Sequence, residues 1–138
     1  GSSAYGEIYS LSFRMFLDNP ITGIGINNFK FLCNYNELYK NMMVNYECAS
    51  HPPNIYIQWL VEGGLIVFFL FILYLSLLVN FIFSNTGDKK YKIISLIIIL
   101  IMFWPIMSTG SLVKNWFGVT TFFIIGLCMC LSKFKNNN

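Results

Sequence analysis

Charge is what this sequence has least of: Asp, Glu, Lys and Arg make up 11% of its 138 residues, against 56% hydrophobic. That balance excludes an ordinary soluble globular domain and falls in the membrane range. It also excludes a soluble nucleic-acid binder, because the lysines are few and lie beside apolar runs. Histidine occurs once, as His51, and Cys33 and Cys48 have fourteen residues between them, so the paired short spacing of a zinc site is missing. The short GIG at 23–25 lacks the third glycine and the preceding strand of a dinucleotide fingerprint. No metal or cofactor is expected. No cleavable leader is visible, since the first apolar run begins after sixty residues, and the opening GSSAYG has no initiator Met. The expectation is a piece of a longer chain, with a cloning remnant at residues 1–3 as the alternative account of that opening.

What the chain has instead is apolar runs. Residues 65–83, LIVFFLFILYLSLLVNFIF, carry no charge over nineteen positions, long enough at ~1.5 Å per helical residue to cross a hydrocarbon core about 30 Å thick. Shorter runs follow at 93–107, ending near Pro105, and at 116–131. The expected fold is all-α and integral to a membrane. An extracytoplasmic helical loop at 1–60 precedes three transmembrane helices, at 61–83, 93–107 and 116–132, as part of a larger multi-span bundle. The connections are a cytoplasmic loop at 84–92, a periplasmic loop at 108–115 and a cytoplasmic tail at 133–138. Orientation comes from the lysines, which short loops hold on the cytoplasmic side. Lys89, Lys90, Lys92, Lys133 and Lys135 are accordingly inside, residues 1–60 are outside, and Trp104 and Trp116 fall near the outer interface. On an oxidising outer side Cys33 and Cys48 can pair, and closing that loop restricts the unfolded chain by about 3 kcal/mol. Metal binding is the competing reading of those two cysteines. Cys128 and Cys130, in an apolar run, read as small hydrophobes.

Residues 4–17 repeat apolar side chains at helical spacing through Ile8, Leu11, Met15 and Phe16. Asn19-Pro20 stops that helix, because the residue before a proline avoids helical backbone. Arg14, near its end, is on this reading a cation favoured by the helix dipole. PITGIGINNF at 20–29 is a tight turn in which Gly23 and Gly25 permit backbone angles closed to other residues. Residues 29–47 hold short helical turns. After Pro52 and Pro53, Asn54 caps a helix reading IYIQWLVEGG. Asn54, Gln58 and Glu62 recur at i, i+4 and i+8, one polar stripe on an otherwise apolar helix. Entering a membrane, such a stripe must face water, protein or a ligand, since unsatisfied polar groups in lipid are costly. Packing against neighbouring helices and lining a cavity both meet that demand.

Taken together, Arg14, NPITGIGINNF, two cysteines and HPPNIYIQWLVEGG ahead of a spanning helix resemble the C-terminal part of the O-antigen ligase and polymerase family of bacterial membrane glycosyltransferases. The most specific element is the succession His51, Asn54, Tyr56, Gln58, Glu62 and Gly63. FWPIMSTGSLVKNWFG at 103–118 is similar to the segment joining the last two helices in one branch of that family. The resemblance implies an inverting, metal-independent enzyme at the periplasmic face of the bacterial inner membrane. Such an enzyme moves a glycan from a polyprenyl diphosphate carrier to a sugar acceptor such as the lipid A core. A polymerase of the same family, with a second carrier-linked glycan as acceptor, is the alternative; a non-catalytic membrane transport component is the reading from another class.

A diphosphate is already a good leaving group, so the reaction needs a cation to hold it and a base for the attacking hydroxyl. The resemblance implies Arg14 as the cation, since a guanidinium fork matches phosphate oxygens. It implies His51 as the base, because an unperturbed imidazole titrates at about pH 6.5; a hydrogen-bonded loop histidine is the plainer reading. Asn54, Gln58 and Glu62 are implied as substrate-binding. Where the family carries a histidine immediately before the asparagine, this chain has Pro53, and His51 matches only the first histidine of the longer motif. Without the earlier helices, the isolated 138 residues are expected to be inactive.

Overall fold

The computed structural model describes residues 3–85, 89–105 and 110–133, and every regular element among them is helical. The chain forms two compact units: residues 3–71 together with Gly110 and Ser111, and residues 72–105 together with 112–133. The first begins with α1 (Ala4–Asp18), whose N-terminus is capped by Ser3: its hydroxyl accepts the Gly6 amide at 3.2 Å. The helix ends where the sequence places its stop. The amide of Asn19 closes back onto the Met15 and Phe16 carbonyls at 3.2 and 3.1 Å, and Pro20 has no N–H with which to continue. The expected helical turns after residue 29 are α2 (Phe29–Tyr35) and α3 (Glu37–Lys40), which share a hinge residue: Asn36 ends the first and caps the second by accepting the Leu38 amide at 3.0 Å.

These helices close a small core. Leu11 and Met15 from one face of α1 are fully buried, against Phe29, Cys33, Tyr39 and Val61. Each large apolar side chain so buried stabilises the unit by about 1.5–3 kcal/mol relative to exposure. The long helix α4 (Ile55–Asn85) starts in this unit, is interrupted at Gly64 and runs on into the second.

The second unit comprises the remainder of α4 with α5 (Lys89–Met102) and α6 (Asn115–Lys133). Its burial follows helical spacing: Leu78 and Ile82 on α4, Ser95 and Ile99 on α5, Thr121, Ile125 and Cys128 on α6. Lys92 sits 5.2 Å from the centre of the Phe83 ring, a cation–π contact at the end of the apolar run. Cys128 is buried and Cys130 exposed, both as free thiols.

The three expected spanning helices are not all present. Among the described residues only α4 is long and apolar enough to cross a membrane. Its length after the break, 65–85, is about 30 Å, and Leu65, Ile66, Phe69, Leu70, Leu73 and Leu77 along it are exposed. The second expected span, 93–107, shortens because α5 stops at Met102, three residues before Pro105, while its first turn is taken up by Lys89, Lys90 and Lys92. Its 14 residues cover about 21 Å. The apolar part of α6, Trp116–Cys130, covers about 22 Å. Both fall short of the ~30 Å of a hydrocarbon core. Residues 86–88 of the 84–92 connection, 106–109 of the region around Pro105, and the tail 134–138 with Lys135 lie outside the described residues.

Candidate functional site

Two glycine motifs far apart in sequence meet at the break in α4. In an uninterrupted helix the amides of Leu65 and Ile66 would donate to the carbonyls of Val61 and Glu62. Gly64, at φ 67° and ψ −169°, prevents it. The turn after α1 supplies all four replacements. The amides of Ile24 and Gly25 donate to the carbonyls of Val61 and Glu62 at 3.0 and 2.9 Å, and the amides of Leu65 and Ile66 donate to the carbonyls of Pro20 and Ile21 at 2.9 and 3.5 Å. A helix break at the start of an apolar segment is tolerable only when protein satisfies the freed backbone groups. The fit leaves no space for side chains. A Cβ on Gly23, at φ 69°, would stand 2.5 Å from the Glu62 carbonyl, and one on Gly64 would collide with the carbonyl oxygen of Ile21.

The polar stripe runs along the helix ahead of this break, and it is buried: Asn54, Gln58 and Glu62 are 3%, 1% and 1% exposed. Asn54 caps the helix, its Oδ1 accepting the Tyr56 amide at 2.8 Å and its carbonyl accepting the Gln58 amide at 2.8 Å. One turn on, the Gln58 side-chain amide donates to Glu62 Oε2 at 2.9 Å and to Ser111 Oγ at 2.7 Å. The stripe therefore meets protein, and the amide is turned so that its NH₂ group faces the carboxylate. Ser111 was not among the residues singled out from the sequence. It lies 53 positions beyond Gln58, in a connection whose local pattern holds no sign of the partnership.

His51 is half-buried immediately before the buried Pro52 and Pro53, with Nδ1 2.8 Å from the Ser50 hydroxyl. Depending on the tautomer, Ser50 donates to that nitrogen or accepts from it. Arg14 lies one turn before the end of α1. It forks onto Asp18, with Nε 3.2 Å from Oδ2 and Nη2 3.2 Å from Oδ1, while its side chain stays 49% exposed. An exposed i,i+4 pair of this kind contributes only about 0.3–0.5 kcal/mol. Asp18 Oδ2 also accepts the hydroxyl of the buried Tyr39 at 2.9 Å, tying the end of α1 to α3. Burial first, then the hydrogen bond and charge of Asp18, pushes the Tyr39 pKa above its ordinary 10.0, with Arg14 opposing. Arg14 makes no hydrogen bond to His51, Asn54, Gln58 or Glu62; the structure brings Gln58 and Glu62 together and holds Arg14 in a separate group.

Cys33 and Cys48 form a disulfide, with Cα atoms 5.9 Å apart, and Cys33 lies in the core. The same unit ties its buried Glu7 to the loop before Cys48: Asn45 donates from its side-chain amide at 2.8 Å and from its backbone at 3.3 Å. Glu7 was missed by sequence reading because a carboxylate in a first helical turn reads as a helix-dipole contact, and nothing local points to position 45.

Comparison with known families places this arrangement. The family model described as O-antigen ligase matches residues 1–72, just over half the chain. It covers α1, the glycine turn, the disulfide, His51, the stripe and the break in α4. No curated protein and no solved structure matches the chain significantly.

Proposed function

Because the chain belongs to the O-antigen ligase family, we propose that it is the C-terminal part of a membrane glycosyltransferase transferring a glycan from a polyprenyl diphosphate carrier to a sugar acceptor such as the lipid A core. In this reading α4 crosses the bacterial inner membrane once, residues 1–60 face the periplasm, and Lys89, Lys90 and Lys92 stay on the cytoplasmic side. The observation that carries the proposal is that the matched region folds as a polar, disulfide-closed unit that leads in sequence into an apolar helix, and that its single imidazole, His51, is half-exposed. A polar, disulfide-closed unit at that position suits a substrate whose glycan lies in water and whose carrier lies in lipid.

The acceptor hydroxyl attacks the anomeric carbon, the bond from that carbon to the diphosphate oxygen breaks, and the hydroxyl proton passes to His51 Nε2. That role requires the tautomer in which Nδ1–H donates to Ser50, leaving the lone pair on Nε2. Arg14 meets the departing diphosphate. Two of the five guanidinium donors engage Asp18, and the remaining ones are available at an exposed position. Asn54, Gln58 and Glu62 form the buried wall against which the substrate cavity closes, with Ser111 holding Gln58 in place.

Glycan transfer by the full-length protein in membranes tests these roles. His51→Ala should lower transfer by at least ~100-fold, as loss of a general base does, with insertion and the disulfide retained. Ser50→Ala should lower the rate less and shift its pH profile. Wild-type transfer by both His51→Ala and Arg14→Ala would leave a non-catalytic membrane component as the reading. Supplying a lipid A core acceptor or a second carrier-linked glycan separates ligase from polymerase.

A further inference from the structure

The first unit holds a groove that the roles above do not use. Its volume is about 480 Å³, and it is lined by Lys30 and Asn34 of α2, Lys40 at the end of α3, and Met43, Tyr46 and Glu47 of the following loop. Lys30 and Asn34 are one helical turn apart and share a face, while the Cys33–Cys48 disulfide holds the segment carrying Tyr46 and Glu47 against that helix.

The charges there are disposed unlike those in the rest of the unit. Of the acidic residues in 1–62, Glu7 is bonded to Asn45, Asp18 to Arg14 and Tyr39, and Glu62 to Gln58. Among the described residues neither Lys30 nor Lys40 takes part in an ion pair, although acids outnumber bases over this stretch. Two ammonium groups therefore line one groove with a single carboxylate, Glu47. The rest of the lining mixes an amide with a thioether and an exposed aromatic ring. Such a surface suits a ring with apolar faces and polar edges, and a volume of this order is that of a small-ligand site.

We infer that this groove binds an acidic saccharide, a sugar unit bearing a carboxylate or phosphate substituent, with Lys30 and Lys40 on the anion and Tyr46 against the ring. The choice of a saccharide rests on the glycan-transfer reading; the demand for an anion rests on the two lysines alone. Glu47 disfavours a bare multivalent anion and offers an acceptor to sugar hydroxyls.

The test is a binding titration of the full-length protein in detergent with three probes: a galacturonate trimer, the neutral maltotriose, and inorganic phosphate. The galacturonate trimer should bind about tenfold more tightly than maltotriose, the scale of one charge-assisted contact, and the margin should shrink in 0.5 M salt, added at about that concentration to screen the lysines. Lys30→Gln with Lys40→Gln should erase the margin, and Glu47→Gln should tighten acidic-sugar binding severalfold. All three residues are exposed, so these variants keep the core, and the gain expected from Glu47→Gln cannot arise from misfolding. Equal binding of acidic and neutral trimers, or a margin unchanged in the double lysine variant, overturns the proposal. So does inorganic phosphate binding as tightly as the acidic trimer, which would make this a simple anion site. Because these readouts do not involve transfer, failure here with transfer still dependent on His51 removes only the groove, and the opposite pair of results removes only the transfer roles.

Discussion

The two units of this chain spend their side chains differently. In the first unit, polar groups are buried and paired: Glu7 with Asn45, Asn54 with the helix start, Gln58 with Glu62 and Ser111. A disulfide and a small apolar core close the unit on itself. Beyond residue 72, apolar side chains face outward, among them Leu73, Leu77, Phe122 and Phe123. The first region carries its own stabilising core; the second has the surface of a segment that needs lipid or further protein around it.

The sharpest way to break this contrast is with glycine. Gly64→Ala forces a side chain into a left-handed position and against the Ile21 carbonyl, separating the turn from α4. We expect the first unit to lose upwards of ~4 kcal/mol in thermal or denaturant unfolding in detergent, the range of strained and clashing sites. Gly126→Ala in α6, where a Cβ meets nothing within 4 Å, should be neutral or stabilise by up to ~1 kcal/mol. Equal effects from the two would mean that the four replacement hydrogen bonds contribute little.

The second region should respond to charge. Leu73 is 52% exposed on α4, and Leu73→Lys should make membrane insertion less favourable by about 3 kcal/mol, the scale of a lysine at the centre of a span. An insertion assay that finds no change would place this face of α4 in water. The smallest expected effect belongs to pH. Tyr39 holds its proton more tightly folded than unfolded, so its contribution is intact below its ordinary pKa of 10.0 and is lost as pH rises through the higher folded value. Unfolding of the first unit should therefore become easier above about pH 10, and Tyr39→Phe should flatten that decline; an unchanged slope would show the Asp18 contact to be energetically silent.

Much of the first unit was legible because its signals are local. Proline after Asn19 stops α1, glycines at 23 and 25 take positive φ, and Asn54 caps the helix after two prolines. The disulfide followed from two cysteines on the hydrophilic side of an apolar run. The span count was less secure, because a run of apolar residues records composition, whereas a span also needs a helix that persists: α5 ends before Pro105 although its apolar run continues. Arg14 read as a helix-end charge or a phosphate ligand, and neither reading included Asp18, one turn away, or Tyr39, 21 positions from Asp18.

By itself, then, the order of residues determined an apolar helix behind a clipped polar unit, where caps, turns and hydropathy act over a few neighbours. Only the tertiary structure decided that the glycines of 23–25 and of 63–64 serve one joint, and that Gln58 answers to Ser111. The reason is the geometry of backbone hydrogen bonding. A broken helix leaves specific carbonyls and amides unpaired, and which distant segment satisfies them depends on shape and close approach, which residue identity alone does not encode.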